Sequence, residues 1–384
     1  MLLWDRIREY DMDHRKKKIG ILTFQRAVNY GASLQMYALQ KTVKELGAEA
    51  EIIDYACPRI SDCYQAFPLR ALVHPRLFWH AVLNYKEQSH RNLKFEQFEK
   101  KHMTFSEKLD KKALSHVADR YDAYIVGSDQ VWNPLITGGD SAYFLDFVKD
   151  RQKKFAYAAS FGGSSWPVGY PSAGKMLEDF RAISTREKTG AGIVRAVTEK
   201  TPPISVSVAP VFLPGWAIWQ HFVKPVTGQK PYLFIYVVGS GKQEGVYRTA
   251  AELAKEKHLE IINLRYGKPL RHKEFSVGHL VYEAGPDEFV SYIANAECVG
   301  TDSFHATAFS TIFHKAMHKA MHKAMYVSKP EKVSPRITDL FDVAGIAGRF
   351  IGEKMQPIDW DRGDERLEKA KADSLRYLKE IIEG

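Results

Sequence analysis

The chain has three cysteines in 384 residues, Cys57, Cys63 and Cys298, and none is spaced like a metal site. That excludes a disulfide framework and points to a reducing compartment. No apolar run approaches the roughly 18 residues of a membrane span. The start, Met1-Leu2-Leu3-Trp4-Asp5-Arg6, carries charge too early for a secretory signal. A cytoplasmic protein is the expectation. Basic residues nowhere alternate with aromatics as on a nucleic-acid-binding surface, so no nucleic-acid partner is expected. What is present is ordinary globular composition, 45% hydrophobic and 26% charged, in a length that suits two domains. The net charge of +9 is spread widely, densest at Arg15-Lys16-Lys17-Lys18. It favours an anionic small substrate or an acceptor at a membrane surface.

The apolar pattern is that of strands alternating with helices. Lys18 to Phe24 reads as a strand, a helix follows through Met36, Leu39, Val43 and Leu46, and Ala50 to Tyr55 is the next strand, making a βαβ unit. Residues 57–101 are aromatic-rich and helical in pattern, an insertion that covers the sheet or lines one side of a cleft. Further strands are expected at Tyr121 to Gly127, Phe155 to Ala159 and Arg181 to Thr185. Pro202-Pro203 and Ala209 to Gly215 mark a boundary. A second set follows, with strands at Tyr232 to Val238 and Leu259 to Leu264, a helix opened by Gly285-Pro286-Asp287-Glu288, and a strand ending at Gly300. Polar or glycine-rich residues follow each strand, which is the layout of a doubly wound sheet with a site along its carboxyl edge.

The stretch Cys298 to Ser310 concentrates that signal. A buried strand stops at Thr301-Asp302-Ser303, and a helix starts at Phe304. Helix starts offer unpaired N–H groups and a positive dipole end to a phosphate or carboxylate. His305 there can serve as acid or base on a bound anion, or simply cap and pack the first turn. One tetrapeptide, His314-Lys315-Ala316-Met317, is repeated in tandem through Met325. The spacing would align His314, His318 and His322 on one helix side, where two can share a zinc. Metal binding does not require the lysine and methionine to repeat as well. Tandem duplication is therefore the reading, the added copies lengthening a helix or forming a loop, and no metal site is expected.

Taken in order, these segments resemble the polysaccharide pyruvyl transferase family. The resemblance is carried by Asn29-Tyr30-Gly31-Ala32-Ser33-Leu34-Gln35, Gly127-Ser128-Asp129-Gln130-Val131-Trp132-Asn133, Tyr157-Ala158-Ala159-Ser160-Phe161-Gly162, Arg186-Glu187, Ala284 to Phe289 and Thr301-Asp302-Ser303-Phe304-His305, with a weaker match at Arg336-Ile337 and Asp339-Leu340-Phe341. Departures are Ala209-Pro210 in place of an Asp-Pro pair, Ala306 in place of glycine, and the uncharged Ser303 where some branches carry arginine.

The resemblance implies an α/β fold of two Rossmann-like domains facing a central cleft, GT-B-like, with a C-terminal helix crossing back. The expected division is a basic arm over 1–17, an acceptor-side domain over 18–205, a donor-side domain over 206–355 and the helix over 356–384. It also implies a transferase that moves the pyruvyl group of phosphoenolpyruvate, with no other cofactor, onto two hydroxyls of a cell-surface polysaccharide or glycolipid precursor. On this reading His305 and Asp129 are catalytic, and Arg186, Thr301, Asp302 and Ser303 bind the donor. Asn29, Gln35, Gln130, Trp132, Asn133 and Ser160 form the acceptor side, where an aromatic face and amide groups suit a sugar. Trp132 packing the core and Asp129 capping a turn is the plainer alternative. Two further readings stay open: a GT-B glycosyltransferase using a nucleotide sugar, disfavoured by the lack of carboxylates spaced for a ribose in the C-terminal half, and a non-catalytic glycan-binding or scaffold homologue. The Arg15 to Lys18 arm adds the expectation of weak association with the inner membrane surface.

Overall fold

Short apolar runs become strands, the central ones covered on both faces, and glycine or polar turns end them at one edge. The protein is described by a computed structural model covering residues 15–61, 63–166, 173–226, 230–238, 244–267, 277–316, 324–327, 335–346 and 358–384. The first half contains β1 (Lys18–Leu22), α1 (Tyr30–Glu45), β2 (Glu49–Ile52), α2 (Pro75–His102), β3 (Ala123–Asp129), β4 (Lys154–Ala159), β5 (Ala182–Thr185), α3 (Lys188–Val197) and β6 (Ile204–Val206). The second contains β7 (Tyr232–Tyr236), α4 (Glu244–Glu256), β8 (Glu260–Leu264), β9 (His279–Val281), α5 (Pro286–Asn295), β10 (Cys298–Thr301), α6 (Phe304–Ile312), β11 (Ala324–Val327), α7 (Pro335–Ala344) and α8 (Trp360–Glu383).

Two parallel sheets result, ordered β2-β1-β3-β4-β5-β6 and β11-β10-β7-β8-β9. In each, the strand order reverses once, between β1 and β3 and between β7 and β10. Such switch points are where open α/β sheets bind ligands. Three strands escape the apolar pattern: β6, β9 and β11 are edge strands of three or four residues, too short to show a period. β6 straddles the expected boundary between residues 205 and 206 and belongs to the first sheet.

The halves are tied by side chains of α1 and α2. Tyr30 donates to the Ala284 carbonyl at 2.9 Å and stacks on Phe289 with ring centroids 4.7 Å apart. Arg91, buried, donates to the Tyr266 carbonyl at 2.7 Å and lies over that ring at 4.8 Å. α8 crosses back to the first sheet: Tyr377 donates to Ala156, and Ser374 accepts from the Val208 N–H at 3.0 Å. The first 14 residues of the basic arm lie outside the described residues, and Arg15 is paired with Asp122 at 2.6 Å. His314 stacks on Trp360 at 3.8 Å and bonds Asp364 at 2.7 Å, so it belongs to the α8 contact. His318 and His322 lie outside the described residues. Among the described residues no helix is long and apolar enough to cross a membrane.

If Tyr30 clamps the halves together, Tyr30→Phe should cost about 1 kcal/mol for the stranded carbonyl and Tyr30→Ala about 3–5 kcal/mol. Urea unfolding checks this, and a Tyr30→Ala loss below about 1 kcal/mol would remove the clamp.

Candidate active site

The β10–α6 turn is built by its own side chains. Thr301 is fully buried, donates its hydroxyl to the Tyr236 carbonyl and accepts from the Ser303 N–H at 2.9 Å. Ser303 caps α6, its Oγ accepting from Ala306 at 3.4 Å. Asp302 accepts from the Val238 N–H at 2.7 Å, which ties the end of β10 to the end of β7. The first intrahelical bond runs from Thr307 to Ser303, so the N–H groups of Phe304 and His305 have no acceptor within the helix. Of the residues assigned to the donor, Thr301 is thus spent inside the turn, Asp302 and Ser303 brace it, and their contribution is to aim these N–H groups.

His305 reaches across to the first half. A Cβ on Gly31, the second residue of α1, would lie 1.9 Å from His305 Nδ1, so the ring rests on bare helix backbone. Asn29 caps that helix, its Oδ1 accepting from the Ala32 N–H at 3.2 Å. Two helix starts therefore meet at one imidazole. Burial, aided by the Arg186 and Arg336 guanidiniums, pushes its pKa down to about 3 against the opposing pull of Asp129. The ring is neutral in the free protein, and its buried Nε2 has no hydrogen-bond partner.

Arg186 is brought in by the turn after β5, its N–H bonded to Ala159 at 3.1 Å. Its buried guanidinium lies over the Phe304 ring at 4.7 Å and reaches Asp129 at only 3.5 Å. Nε and Nη1 make no hydrogen bond. Glu187 stands 3.5 Å from Nε and is itself held by the Ser160 hydroxyl at 2.6 Å. Asp129 ends β3 with φ at 76°, a left-handed conformation that aspartate tolerates better than most residues. Burial alone would raise its pKa, but Arg186, with Arg336 and the Gln130 N–H, outweighs that, so it is held below the usual carboxylate range.

The structure thus brings together His305, Asp129 and Arg186. Trp132 is a correction: it is fully buried, stacked on Phe144, and its indole N–H is given to the Tyr143 carbonyl, so it has no face for a sugar. Gln35 is also fully buried, donating to Thr23 behind β1, and Ser160 is buried beneath Glu187. Neither can touch an acceptor. Gln130 and Asn133 stay half-buried at the edge but bond each other at 2.8 Å. Asn133 also caps the next turn.

Two residues that the structure places beside this cluster had little signal in the sequence. Arg336 lies in the first turn of α7, electrostatically coupled to Arg186, Asp129, Glu187 and His305. The same helix holds the Arg186 loop, since Asp339 accepts from the Lys188 N–H at 2.8 Å. Arg336 was visible only as a weak family match. Tyr64, from the insertion, has its hydroxyl near Asn29 and in the field of Asp129. Its carbonyl accepts from Asn92, which lines a cavity of about 510 Å³ with Gln25, Arg26, Asp54, Glu99 and Phe105.

Two Rossmann-like halves facing each other at their switch points make this a GT-B-type fold. A family model described as polysaccharide pyruvyl transferase matches residues 29–317. The chain belongs to that family and is a transferase. Among solved structures, a Listeria monocytogenes protein assigned as a UDP-N-acetylglucosamine 2-epimerase is similar with a TM-score of 0.50 at 12% identity, over 96% of this chain and 90% of that one. The UDP-N-acetylglucosamine 2-epimerase from Rickettsia bellii gives 0.48 at 12% identity, over 96% and 98%. At such identities the likeness is one of fold. No curated protein matches the chain in sequence.

Two predictions follow from this geometry. The unfolded histidine titrates near 6.5 and the folded one near 3, so the unfolded chain binds the extra proton between those values. Stability from neutral His305 is full above pH 6.5 and is lost as pH falls toward 3. The melting temperature should drop between about pH 7 and pH 5 more steeply in the wild type than in His305→Gln; equal slopes would show that the ring is charged in the fold. Gly31→Ala should displace the imidazole and lower kcat about 100-fold with the circular dichroism unchanged. Turnover within about twofold of wild type would sink the claim that this contact sets the ring.

Proposed function

We propose that the protein transfers the pyruvyl group of phosphoenolpyruvate to two hydroxyls of a sugar in a cell-surface polysaccharide or glycolipid precursor, forming a cyclic ketal and releasing phosphate, in the cytoplasm. The observation that carries this reading is the set of unspent groups at one place: Arg186 Nε and Nη1, and His305 Nε2, all buried without hydrogen-bond partners. Buried polar groups are normally paired, and a ligand that carries several negative charges would pair these. The starts of α1 and α6 add two positive dipole ends. Arg336 adds the cation that Ser303 lacks.

A trianion arriving beside His305 reverses its electrostatics and raises its pKa. The imidazolium protonates the methylene carbon, the adjacent carbon becomes electrophilic, and a sugar hydroxyl adds to it. Asp129 takes that hydroxyl's proton. A base held at low pKa is weak, but the donor draws Arg186 away from Asp129 and restores its basicity. The second hydroxyl then displaces phosphate and returns its proton to His305, while Asp129 gives its proton to the departing phosphate. The acceptor enters from the 510 Å³ cavity, whose Asn92, Glu99 and Phe105 offer amide, acid and aromatic contacts suited to a sugar.

Melting with phosphoenolpyruvate should raise the transition temperature, and UDP or GDP should not. With glycan precursors present, acceptor mass and free phosphate should rise together. Asp129→Asn is expected to keep the phosphoenolpyruvate shift and lose turnover, Arg186→Gln to lose both, and His305→Gln to lose about 10²–10⁴-fold in kcat. A shift with UDP and none with phosphoenolpyruvate would transfer the chain to nucleotide-sugar chemistry. Binding of neither at millimolar concentration would make it a non-catalytic homologue.

A further inference from the structure

Of the eleven strongly exposed large apolar side chains among the described residues, seven lie between Leu72 and Leu93. Five of them are on α2, and Trp79, Val82, Leu83 and Leu93 mark its outer side. Trp79, Val82 and Leu83 are spaced by three and four residues, and Trp79, Lys86 and Leu93 by sevens, so with Arg76, one turn before Trp79, they share one helical face. Trp79 is 60% exposed and Leu83 54%. Just ahead of the helix, Leu72 and Val73 extend the patch. The opposite face is committed to the protein through Ala81, Asn84, Arg91, Phe95 and Phe98.

We infer that this outer face of α2 docks the protein flat on an anionic lipid surface. A tryptophan and aliphatic residues interleaved with the exposed Arg76 and Lys86 are what an interfacial helix needs, the apolar groups entering the headgroup boundary and the two cations meeting acidic headgroups. A second copy of the chain suits the face less well, since Arg76 and Lys86 would meet their own charge across a two-fold axis. The basic arm is not needed for this contact. The inference goes beyond the proposed reaction, and it stands whether or not phosphoenolpyruvate is the donor.

Sedimentation with vesicles tests it: full-length protein is mixed with phosphatidylcholine vesicles, with or without phosphatidylglycerol. Binding should appear with the anionic vesicles and weaken as salt rises. Trp79→Ser with Leu83→Ser should abolish it, and Arg76→Glu with Lys86→Glu should weaken it at least about tenfold, since each cation lost is worth about fivefold. Circular dichroism and the melting temperature of each variant report whether it is folded. A variant lacking residues 1–14 should bind like the wild type. Binding lost with the arm and kept in the α2 variants would overturn the inference. So would sedimentation analysis showing a stable dimer that the Trp79/Leu83 variant converts to monomer without any vesicle binding. Vesicle binding by α2 without any phosphoenolpyruvate shift would retain this inference and reject the proposed reaction.

Discussion

The contact between the His305 imidazole and the backbone of Gly31 is the constraint on which the rest of the site depends. It joins the start of α6 in one half to the start of α1 in the other, at the point where each sheet reverses its strand order. The approach is possible because residue 31 has no Cβ. Everything around it serves to hold that approach: Tyr30 clamps onto Ala284 and Phe289, Asn29 caps α1, and Thr301 and Ser303 fix the turn before His305. One residue of α1 thus grips the partner half while its neighbour leaves room for the ring.

That geometry also fixes the charge state. An imidazole between two positive helix ends and near two guanidiniums cannot hold a proton in the free protein, and burial reinforces this. Asp129 is ionised beside it, yet its separation of 3.5 Å from Arg186 leaves most of the guanidinium's donors unspent. The free site is therefore poised rather than saturated. A multiply charged anion would satisfy the arginine donors, raise the histidine and release the aspartate in one event, so proton transfer is tied to occupancy.

The fold was legible in the sequence wherever strands were long enough to show an apolar run. β6, β9 and β11 were not, because a three- or four-residue edge strand carries no period. His305, Asp129 and Arg186 could be singled out because each lies at or soon after the end of a strand in a motif that resembles one family. Trp132 misled because an aromatic after a strand looks the same in sequence whether it faces a sugar or the core; its stacking on Phe144 is a tertiary fact. Arg336 lies at the start of α7, far from any strand end, and tertiary contacts such as the bond between Asp339 and the Lys188 N–H carry it to Arg186. Gly31 was visible as a glycine, but the reason for it stands on the other half of the chain.

Arg336 also bears on how an uncharged Ser303 is compatible with an anion site. A charged side chain at position 303 would place its cation on the turn itself, at the expense of the cap that Ser303 supplies to Ala306. The chain instead keeps the cap and draws its second cation from α7. This makes the site depend on how α7 is held, and α7 is held from both sides: Asp339 binds the Arg186 loop, while Gly363 of α8 lets its helix approach Ala344 so closely that a Cβ would lie 2.5 Å from the Ala344 carbonyl. The crossing helix thus packs directly against the helix that carries Arg336.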